Sequence, residues 1–208
     1  DFIQILPTSV LTAGSTLTLR GNGGDDRFFI QAVNGPTTIE GGIGADRYFV
    51  SSNASKALFM GDGFYKDEKS SAVDTFDAFD LLTGTLENID GVLTIDPGAG
   101  GNGHTRDVIR VSSGGNRSQS GTIENSPVSG LNSITGLGMT GNGRIDFSSP
   151  ATQLKTPADL TEPDETTSLF VMVGLGSAPD TFRVKALTNN INAYVYGRGG
   201  SDIVDVGN

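Results

Sequence analysis

The chain has 208 residues and a formal net charge of −10 at pH 7, with 30 glycines and no cysteine. The absence of cysteine excludes disulfide scaffolds, Cys-ligated zinc, iron–sulfur clusters and thiol nucleophiles. The negative charge argues against binding to nucleic acid or to anionic membranes, because few cationic side chains are available to neutralise phosphate groups. No apolar run approaches the roughly 18 residues of a membrane-spanning helix, so we predict no membrane insertion.

Five short segments share a pattern in which a Gly-rich turn precedes an Asp and apolar residues follow two and four positions later. Residues two apart lie on one face of a β-strand, which predicts a strand after each Asp and a core on that face. The Asp residues are Asp26, Asp46, Asp107, Asp180 and Asp202, with a weaker copy at Asp74. The clearest predicted core residues are Phe28, Ile30, Tyr48, Val50, Phe182, Val184, Val204 and Val206. Residues predicted to face outwards are Arg27, Arg47, Asp77, Arg110, Arg183 and Asp205.

A second set of predicted strands lies between the Asp segments. Asp46 follows Asp26 by 20 residues and Asp202 follows Asp180 by 22, a spacing typical of one coil of a stacked repeat. The sequence therefore predicts an all-β fold, a right-handed parallel β-helix or β-solenoid with about 20–22 residues per coil, in which residues 1–208 form one domain. The second strands are Thr16–Leu19, Thr37–Glu40, Val92–Ile95, Leu169–Val173 and Ile191–Tyr196.

Several stretches depart from the regular coils. Residues 51–72 lengthen one coil, while residues 112–120 and 148–168 are rich in polar side chains and cannot bury enough apolar area to pack. We interpret all three as surface insertions. Residues 1–14 are predicted to contain an N-terminal strand that serves assembly.

The pair of Asp segments near the start recurs near the end. Asp180 lies 154 residues after Asp26, and Asp202 lies 156 after Asp46. The chain thus resembles about one and a third units of a longer repeat, although a β-helix with two similar ends is the competing interpretation. A chain that opens at Asp1 without Met and stops in mid-repeat is expected to be a processed chain or an excised fragment.

Further motifs occur in a recognisable order. Leu86–Ile95 is followed by an Asp strand, then by Ile134–Met139, and then by a Gly-x-Gly-x-x-x-Asp-Thr-Phe turn at Gly174–Phe182. This order resembles the long repeats of giant secreted or surface proteins with hemolysin-type, RTX-like β-solenoids. The resemblance covers about residues 15–206 and implies an extracellular adhesive, matrix or appendage role. The uninterrupted nine-residue period of calcium-loaded RTX rolls is missing.

Stacked coils would place equivalent Asp side chains about 4.8 Å apart, where their negative charges need compensation. Backbone N–H groups of the same turn could supply it, as could Arg27 and Arg47, or a cation such as Ca²⁺ could bind between the carboxylates. Because the copies recur at 20 residues rather than nine, we favour capping of each turn by its own Asp and expect no cofactor. The alternative is a Ca²⁺ site formed by Asp25, Asp26 and Asp46.

Evidence for catalysis is confined to His104, which neighbours Arg106 and Asp107. We interpret it as a surface His and predict that the chain is not an enzyme, with a β-helix polysaccharide-active enzyme as a third alternative. Two sequons in predicted loops make Asn53 and Asn116 candidate glycosylation sites, so attached glycans are candidate partners.

Two features favour assembly. Phe29 and Phe49 are equivalent outward positions, which indicates either a contact with another molecule or shielding by residues 51–72. The terminal strands are not capped by charge, Pro or a helix, and open strand edges template further strands. The assembly residues at the two ends are Phe2, Ile3, Ile5 and Leu6, and Ile203, Val204 and Val206.

The leading hypothesis is a structural subunit of an extracellular or cell-surface filament, appendage or giant surface protein. Its main partner would be itself, in a head-to-tail homopolymer or a tandem array. In the homopolymer we expect Phe2–Leu6 of one unit to meet the final coil of the next, Ile203–Val206. The alternative is a calcium-binding adhesin segment of an RTX-like surface protein.

Overall fold

The computed structural model describes residues 1–7, 11–12, 14–57, 82–98, 107–128, 130–149, 169–188 and 191–207. Within these residues the chain forms fourteen β-strands in two sheets, so the predicted all-β class is confirmed. The weaker Asp74 copy and most of 51–72 and 148–168 lie outside the described residues. In chain order the strands are β1 (Phe2–Ile5), β2 (Leu17–Arg20), β3 (Arg27–Ile30), β4 (Thr37–Glu40), β5 (Arg47–Val50), β6 (Val92–Asp96), β7 (Val108–Ser112), β8 (Ser120–Asn125), β9 (Leu131–Gly136), β10 (Arg144–Ser148), β11 (Leu169–Gly174), β12 (Thr181–Val184), β13 (Ile191–Tyr196) and β14 (Ile203–Val206).

Sheet A has six strands in the order β1-β3-β5-β7-β11-β13, and every described pair is parallel. Parallel neighbours cannot be joined by a tight hairpin, so the chain must cross over between them. Here each crossover contains at least one strand of the other sheet.

Sheet B has eight strands in the order β2-β4-β6-β10-β9-β8-β12-β14. Its described pairs are parallel except around β9, which runs antiparallel to both β8 and β10. Gly130 and Gly138 have positive φ angles of 81° in the turns on either side of β9, a conformation that glycine adopts without steric cost. This antiparallel meander departs from the wholly parallel fold that the sequence predicted.

Strands that pair within a sheet keep equivalent residues in register. Phe28 pairs with Tyr48 in sheet A, and Leu17 pairs with Thr37 in sheet B. Thr181 pairs with Ile203, which lies 22 residues later in the chain. The pairing distances therefore match the 20- and 22-residue spacings read from the sequence. One inward row of sheet A consists of Ile3, Phe28, Tyr48, Ile109, Val171 and Ala193.

The main apolar core contains side chains of both sheets. Of the eight predicted core residues, five are fully buried, and Val184 is partly buried. The prediction was wrong for Val204 and Val206, which are 44% and 79% exposed. Strand β14 is the last strand of sheet B, and no described strand lies beyond it to cover these side chains. The confirmed core residues are Phe28, Ile30, Tyr48, Val50 and Phe182.

The two halves of the chain place their Asp strands in different sheets. Strands β3, β5 and β7 belong to sheet A, whereas β12 and β14 belong to sheet B. Between β7 and β11 the chain forms three consecutive strands of sheet B instead of one. From β11 onwards, the strands that follow an Asp therefore lie in sheet B, and the strands between them lie in sheet A. The recurrence over 154 and 156 residues therefore relates strands on opposite sheets.

Candidate functional site: two aspartate ladders

Asp26, Asp46 and Asp107 come immediately before β3, β5 and β7 and lie in register at one end of sheet A. The backbone N–H of Asp26 donates to Oδ1 of Asp46 at 2.9 Å, and that of Asp46 donates to Oδ1 of Asp107 at 2.8 Å. The nitrogen of Asp1 donates to Oδ1 of Asp26 at 2.7 Å. The side chains of Asp26, Asp46 and Asp107 are buried. We call this series the sheet A ladder.

A second, shorter ladder lies in sheet B. The backbone N–H of Gln119 donates to Oδ1 of Asp180 at 2.6 Å, and that of Asp180 donates to Oδ1 of Asp202 at 2.9 Å. Oδ2 of Asp180 also accepts the N–H of Gly176 in its own turn at 2.8 Å. Both carboxylate oxygens of Asp180 are therefore hydrogen-bonded.

These contacts change the role expected for the repeated Asp. The sequence favoured a carboxylate that caps its own turn, and among the ladder residues Asp180 makes such a bond. The shared interaction instead joins neighbouring strands, because each donor precedes the strand one place earlier in the sheet. The ladders therefore connect neighbouring strands, and at Asp180 the carboxylate also closes its own turn.

Glycine makes room for the second carboxylate oxygen. A Cβ at Gly21 would overlap Oδ2 of Asp26, and a Cβ at Gly41 would overlap Oδ2 of Asp46 and the hydroxyl of Tyr48. Both Oδ2 atoms and the Tyr48 hydroxyl are buried and have no hydrogen-bond partner among the described residues. Sequence patterning placed Tyr48 in the core but did not reveal that its hydroxyl lies beside Asp46. The Gly-x-x-x-x-Asp spacing of Gly21, Gly41 and Gly197 is the signal that could have located this feature.

Burial also alters the ionisation of the ladder. Desolvation raises the pKa of Asp46 to about 6, and the charges of Asp26 and Asp25 act in the same direction. Desolvation raises the pKa of Asp107 to about 7, with the charge of Asp46 contributing. Burial, followed by the nearby charge of Asp46, raises the pKa of Tyr48, so its hydroxyl stays neutral. The carboxyl groups of Asp46 and Asp107, on adjacent strands, are therefore partly protonated at pH 6–7.

The three residues of the candidate Ca²⁺ site lie in neighbouring turns. Asp25 is exposed, and its Oδ1 accepts the N–H of Ala45 at 3.0 Å. Asp26 and Asp46 are ladder residues whose Oδ1 atoms accept N–H groups. Within the described parts of the chain, no group of three or more His, Cys, Asp or Glu side chains is arranged to hold a metal ion.

Phe29 and Phe49 stack on the outer face of sheet A with ring centroids 5.1 Å apart. Both are almost fully buried, in a second apolar cluster with Ala54 and Leu82. Arg110, which the sequence placed on a solvated surface, is also buried, and its guanidinium carbon lies 5.3 Å from the Phe49 ring centroid. These facts favour the shielding interpretation of the two phenylalanines over an exposed contact.

The two sequons differ in their surroundings. Oδ1 of Asn53 accepts the hydroxyl of Ser51 and the N–H of Gly84, and its Nδ2 donates to Oγ1 of Thr83 at 3.3 Å. A glycan on Nδ2 would compete with the last of these bonds. Asn116 is exposed in the loop between β7 and β8. It is thus the more accessible of the two candidate acceptors.

The remaining candidates lie at the ends or outside the described residues. His104 and Arg106 fall outside them, and Asp107 belongs to the sheet A ladder. Among the N-terminal assembly residues, Phe2 and Leu6 are exposed, Ile3 is half-buried and Ile5 is buried. Among the C-terminal ones, Ile203, Val204 and Val206 are exposed.

The fold and these ladders define a class of all-β protein in which parallel strands are joined through buried Asp side chains at their turns. No protein-family model, curated protein or solved structure matches the chain. No helix in the described residues is long and apolar enough to cross a membrane.

Proposed function

We propose that this chain is a structural segment of an extracellular filament, appendage or giant surface protein, built as a right-handed parallel β-solenoid that stacks end to end. The observation that carries the proposal is the alternation of successive strands between two sheets, with equivalent residues in register about one coil apart. Crossovers between parallel strands of one sheet are right-handed in about 98% of cases, which supports the proposed handedness.

The ends of the two sheets support stacking. Strands β1 and β2 form one end, and β13 and β14 form the other. The inward residues Ala193 and Val195 of β13 are half-buried, as is Ile3 of β1, so each end presents a partly covered apolar row. If two units stacked so that sheet A of one continued into sheet A of the next, β1 of one unit would pair with β13 of its neighbour as a further parallel strand.

This arrangement modifies the partner expected for the N-terminal strand. The sequence paired residues 2–6 with Ile203–Val206 of the next unit, but those segments belong to different sheets. The proposed joint pairs β1 with β13 and β2 with β14. A following unit could be a second copy or a later segment of the same chain.

The extracellular location is part of the same proposal. It is supported by the resemblance to repeats of secreted and surface proteins and by the exposed sequon at Asn116. Asn116 lies on the loop after β7, and β7 is two strands from the β13 edge that forms the proposed joint.

Electron microscopy and sedimentation velocity of residues 1–208 test the proposal. We expect rods or oligomers that grow with protein concentration, and far fewer of them when residues 1–6 are deleted. Circular dichroism of the deletion variant checks that the remaining strands still fold. Fibres that form unchanged without residues 1–6 would exclude the β1 joint, and a parent chain that stays monomeric at high concentration would contradict self-assembly.

A calcium-binding adhesin segment is the second candidate. Within the part of the chain that the structure describes, the buried Oδ2 atoms of Asp26 and Asp46 accept no hydrogen bond, which leaves oxygen atoms of the type that Ca²⁺ prefers. A melting temperature that rises strongly with Ca²⁺ and falls with a chelator would favour this candidate over a purely structural role.

A further inference from the structure

Four successive strands exchange sheets between the two copies of the sequence repeat. Strands β3 and β5 of sheet A correspond to β12 and β14 of sheet B, because the Asp residues before them recur after 154 and 156 residues. The strands before those Asp residues, β2 and β4 of sheet B, correspond to β11 and β13 of sheet A. The parallel pairing is kept, since β2 with β4 and β3 with β5 become β11 with β13 and β12 with β14.

The number of strands in one repeat explains the exchange. The repeat runs from β3 to β11 and has nine described strands, four in sheet A and five in sheet B. It begins and ends in sheet A, so its successor begins in sheet B. If every repeat used the same sheets, sheet B would gain one more described strand than sheet A each time, about 4.8 Å of extra length on one side. With exchange, two successive repeats add nine of these strands to each sheet.

We propose that β13 and β14 form a docking edge for the β6–β7 segment of a further repeat, which enters with its sheets exchanged. The inference rests on the structural repeat role proposed above. In this chain β6 pairs with β4, and β7 pairs with β5. Because β13 and β14 are the counterparts of β4 and β5, a second β6 would add to sheet A beside β13, and a second β7 would add to sheet B beside β14. In a tandem array this joint takes the place of the one between separate copies.

The apolar side chains at this edge fit such a segment. The inward residues of β7 that pair with β5 are Ile109 and Val111, which are fully buried. In the same register, a second copy of them would lie beside Val204 and Val206, which are 44% and 79% exposed in this chain. Covering these two side chains removes exposed apolar area from water, which stabilises the joint.

Charge and hydrogen bonding fit the same segment. In the register of β5 with β7, a second Arg110 would lie opposite Asp205, which carries the opposite charge. The backbone N–H of Asp46 donates to Oδ1 of Asp107, so that of Asp202 would donate to a second Asp107 and extend the sheet B ladder. The residue immediately before β2 is not an Asp, so a separate copy that adds through β2 cannot extend the ladder in this way.

A two-repeat chain tests the proposal. In this chain residues 51–208 are repeated directly after Val206, the counterpart of Val50. The natural sequence has no cysteine, so an engineered pair supplies the only thiols. Adjacent strands lie about 4.8 Å apart, which is within the Cα separation that a disulfide spans. Disulfide formation under mild oxidation therefore reports which strands are neighbours.

Two cysteine pairs between the first and second repeats distinguish the sheet assignments. Tyr194→Cys with Thr94→Cys in the second repeat reports exchange, because Tyr194 is the counterpart of the β4 residue that pairs with Thr94. Asp205→Cys with Val92→Cys in the second repeat is the matched control. These two residues share one row of sheet B and would meet if the second β6 stayed in that sheet. We expect the first pair to be oxidised in most chains and the control pair in few.

Methyl NOEs in the cysteine-free two-repeat chain, with the second repeat labelled separately, give a second readout if a cysteine variant fails to fold. Exchange predicts contacts of Val206 with the second Val111. A fixed sheet assignment predicts contacts of Val206 with the second Leu93, which lies in its row of sheet B.

Preferential oxidation of the control pair, or contacts of Val206 with the second Leu93, would overturn the exchange. The absence of both disulfides and of both sets of contacts would overturn it as well, because the edge would then not bind this segment. Both measurements read contacts within one chain, so their failure is distinguishable from a failure of separate chains to assemble.

Discussion

Gly41 is a residue whose missing side chain creates the space for a ladder carboxylate. An added Cβ would overlap the Tyr48 hydroxyl and Oδ2 of Asp46 and would lie 2.8 Å from the carbonyl oxygen of Pro97. The Pro97 contact is with backbone and cannot be relieved by a rotamer change. The role of glycine here is close packing, in addition to the turn conformation for which glycine is usually chosen.

We expect Gly41→Ala to lower the free energy of unfolding by about 1–3 kcal/mol, the usual cost of overpacking. Gly23→Ala is the control, because the nearest atom to its added Cβ is the carbonyl oxygen of Ile43 at 3.9 Å. We expect that variant to stay within about 0.5 kcal/mol of the parent chain. Urea denaturation measures both, and equal losses at the two sites would contradict the close-packing role of Gly41.

At the scale of the strand, the outer face of sheet A is a second core. Phe29 and Phe49 are 2% and 3% exposed and stack within the cluster that contains Ala54 and Leu82. Tyr194 occupies the same outward row at the end of the sheet but is 40% exposed. The same row therefore offers a buried pair and an exposed aromatic for comparison.

Replacement of both Phe29 and Phe49 by Ser should lower the melting temperature by at least about 10 °C, because large buried side chains are lost. Tyr194→Ser should change it by only a few degrees. Differential scanning calorimetry measures these shifts, and sedimentation velocity reports self-association in parallel. A double variant that melts like the parent chain but no longer associates would show that the two phenylalanines form an intermolecular contact instead.

Much of the strand layout could be predicted from the sequence because apolar residues alternate after each Asp. The positions of Phe28 and Tyr48 in paired strands follow from that alternation and from their 20-residue spacing. The burial of Arg110 could not be predicted, since it depends on which segments cover the outer face of sheet A. The antiparallel strand β9 was also missed, because a short polar hairpin has no long-range period.

The candidate site was predictable in part. The repeated Asp residues were located, and backbone N–H groups were named as one means of compensating their charges. The donors come from the neighbouring turn, a fact that depends on the register between strands. The partial hydrogen bonding of Asp46, compared with the full hydrogen bonding of Asp180, is a tertiary difference between residues with the same local pattern.

At the scale of the whole molecule, the proposed joint would cover the exposed apolar side chains of β14 with a strand of the next unit. Val206 is 79% exposed and lies on the last strand of sheet B. Lys on an edge strand opposes the addition of further strands, because its charge would have to be buried in the new pair. Val206→Lys should therefore leave the folding of the single chain almost unchanged while preventing assembly.

We expect Val206→Lys to sediment as a monomer at concentrations where the parent chain associates, with a melting temperature within a few degrees of the parent. Val128→Lys is the matched control, because Val128 is 45% exposed in the loop between β8 and β9 and away from both ends of the sheets. It adds the same charge and should assemble like the parent chain. Assembly of Val206→Lys at the parent's concentration would place the contact elsewhere, and equal loss of assembly in both variants would indicate that net charge, rather than the edge of β14, controls association.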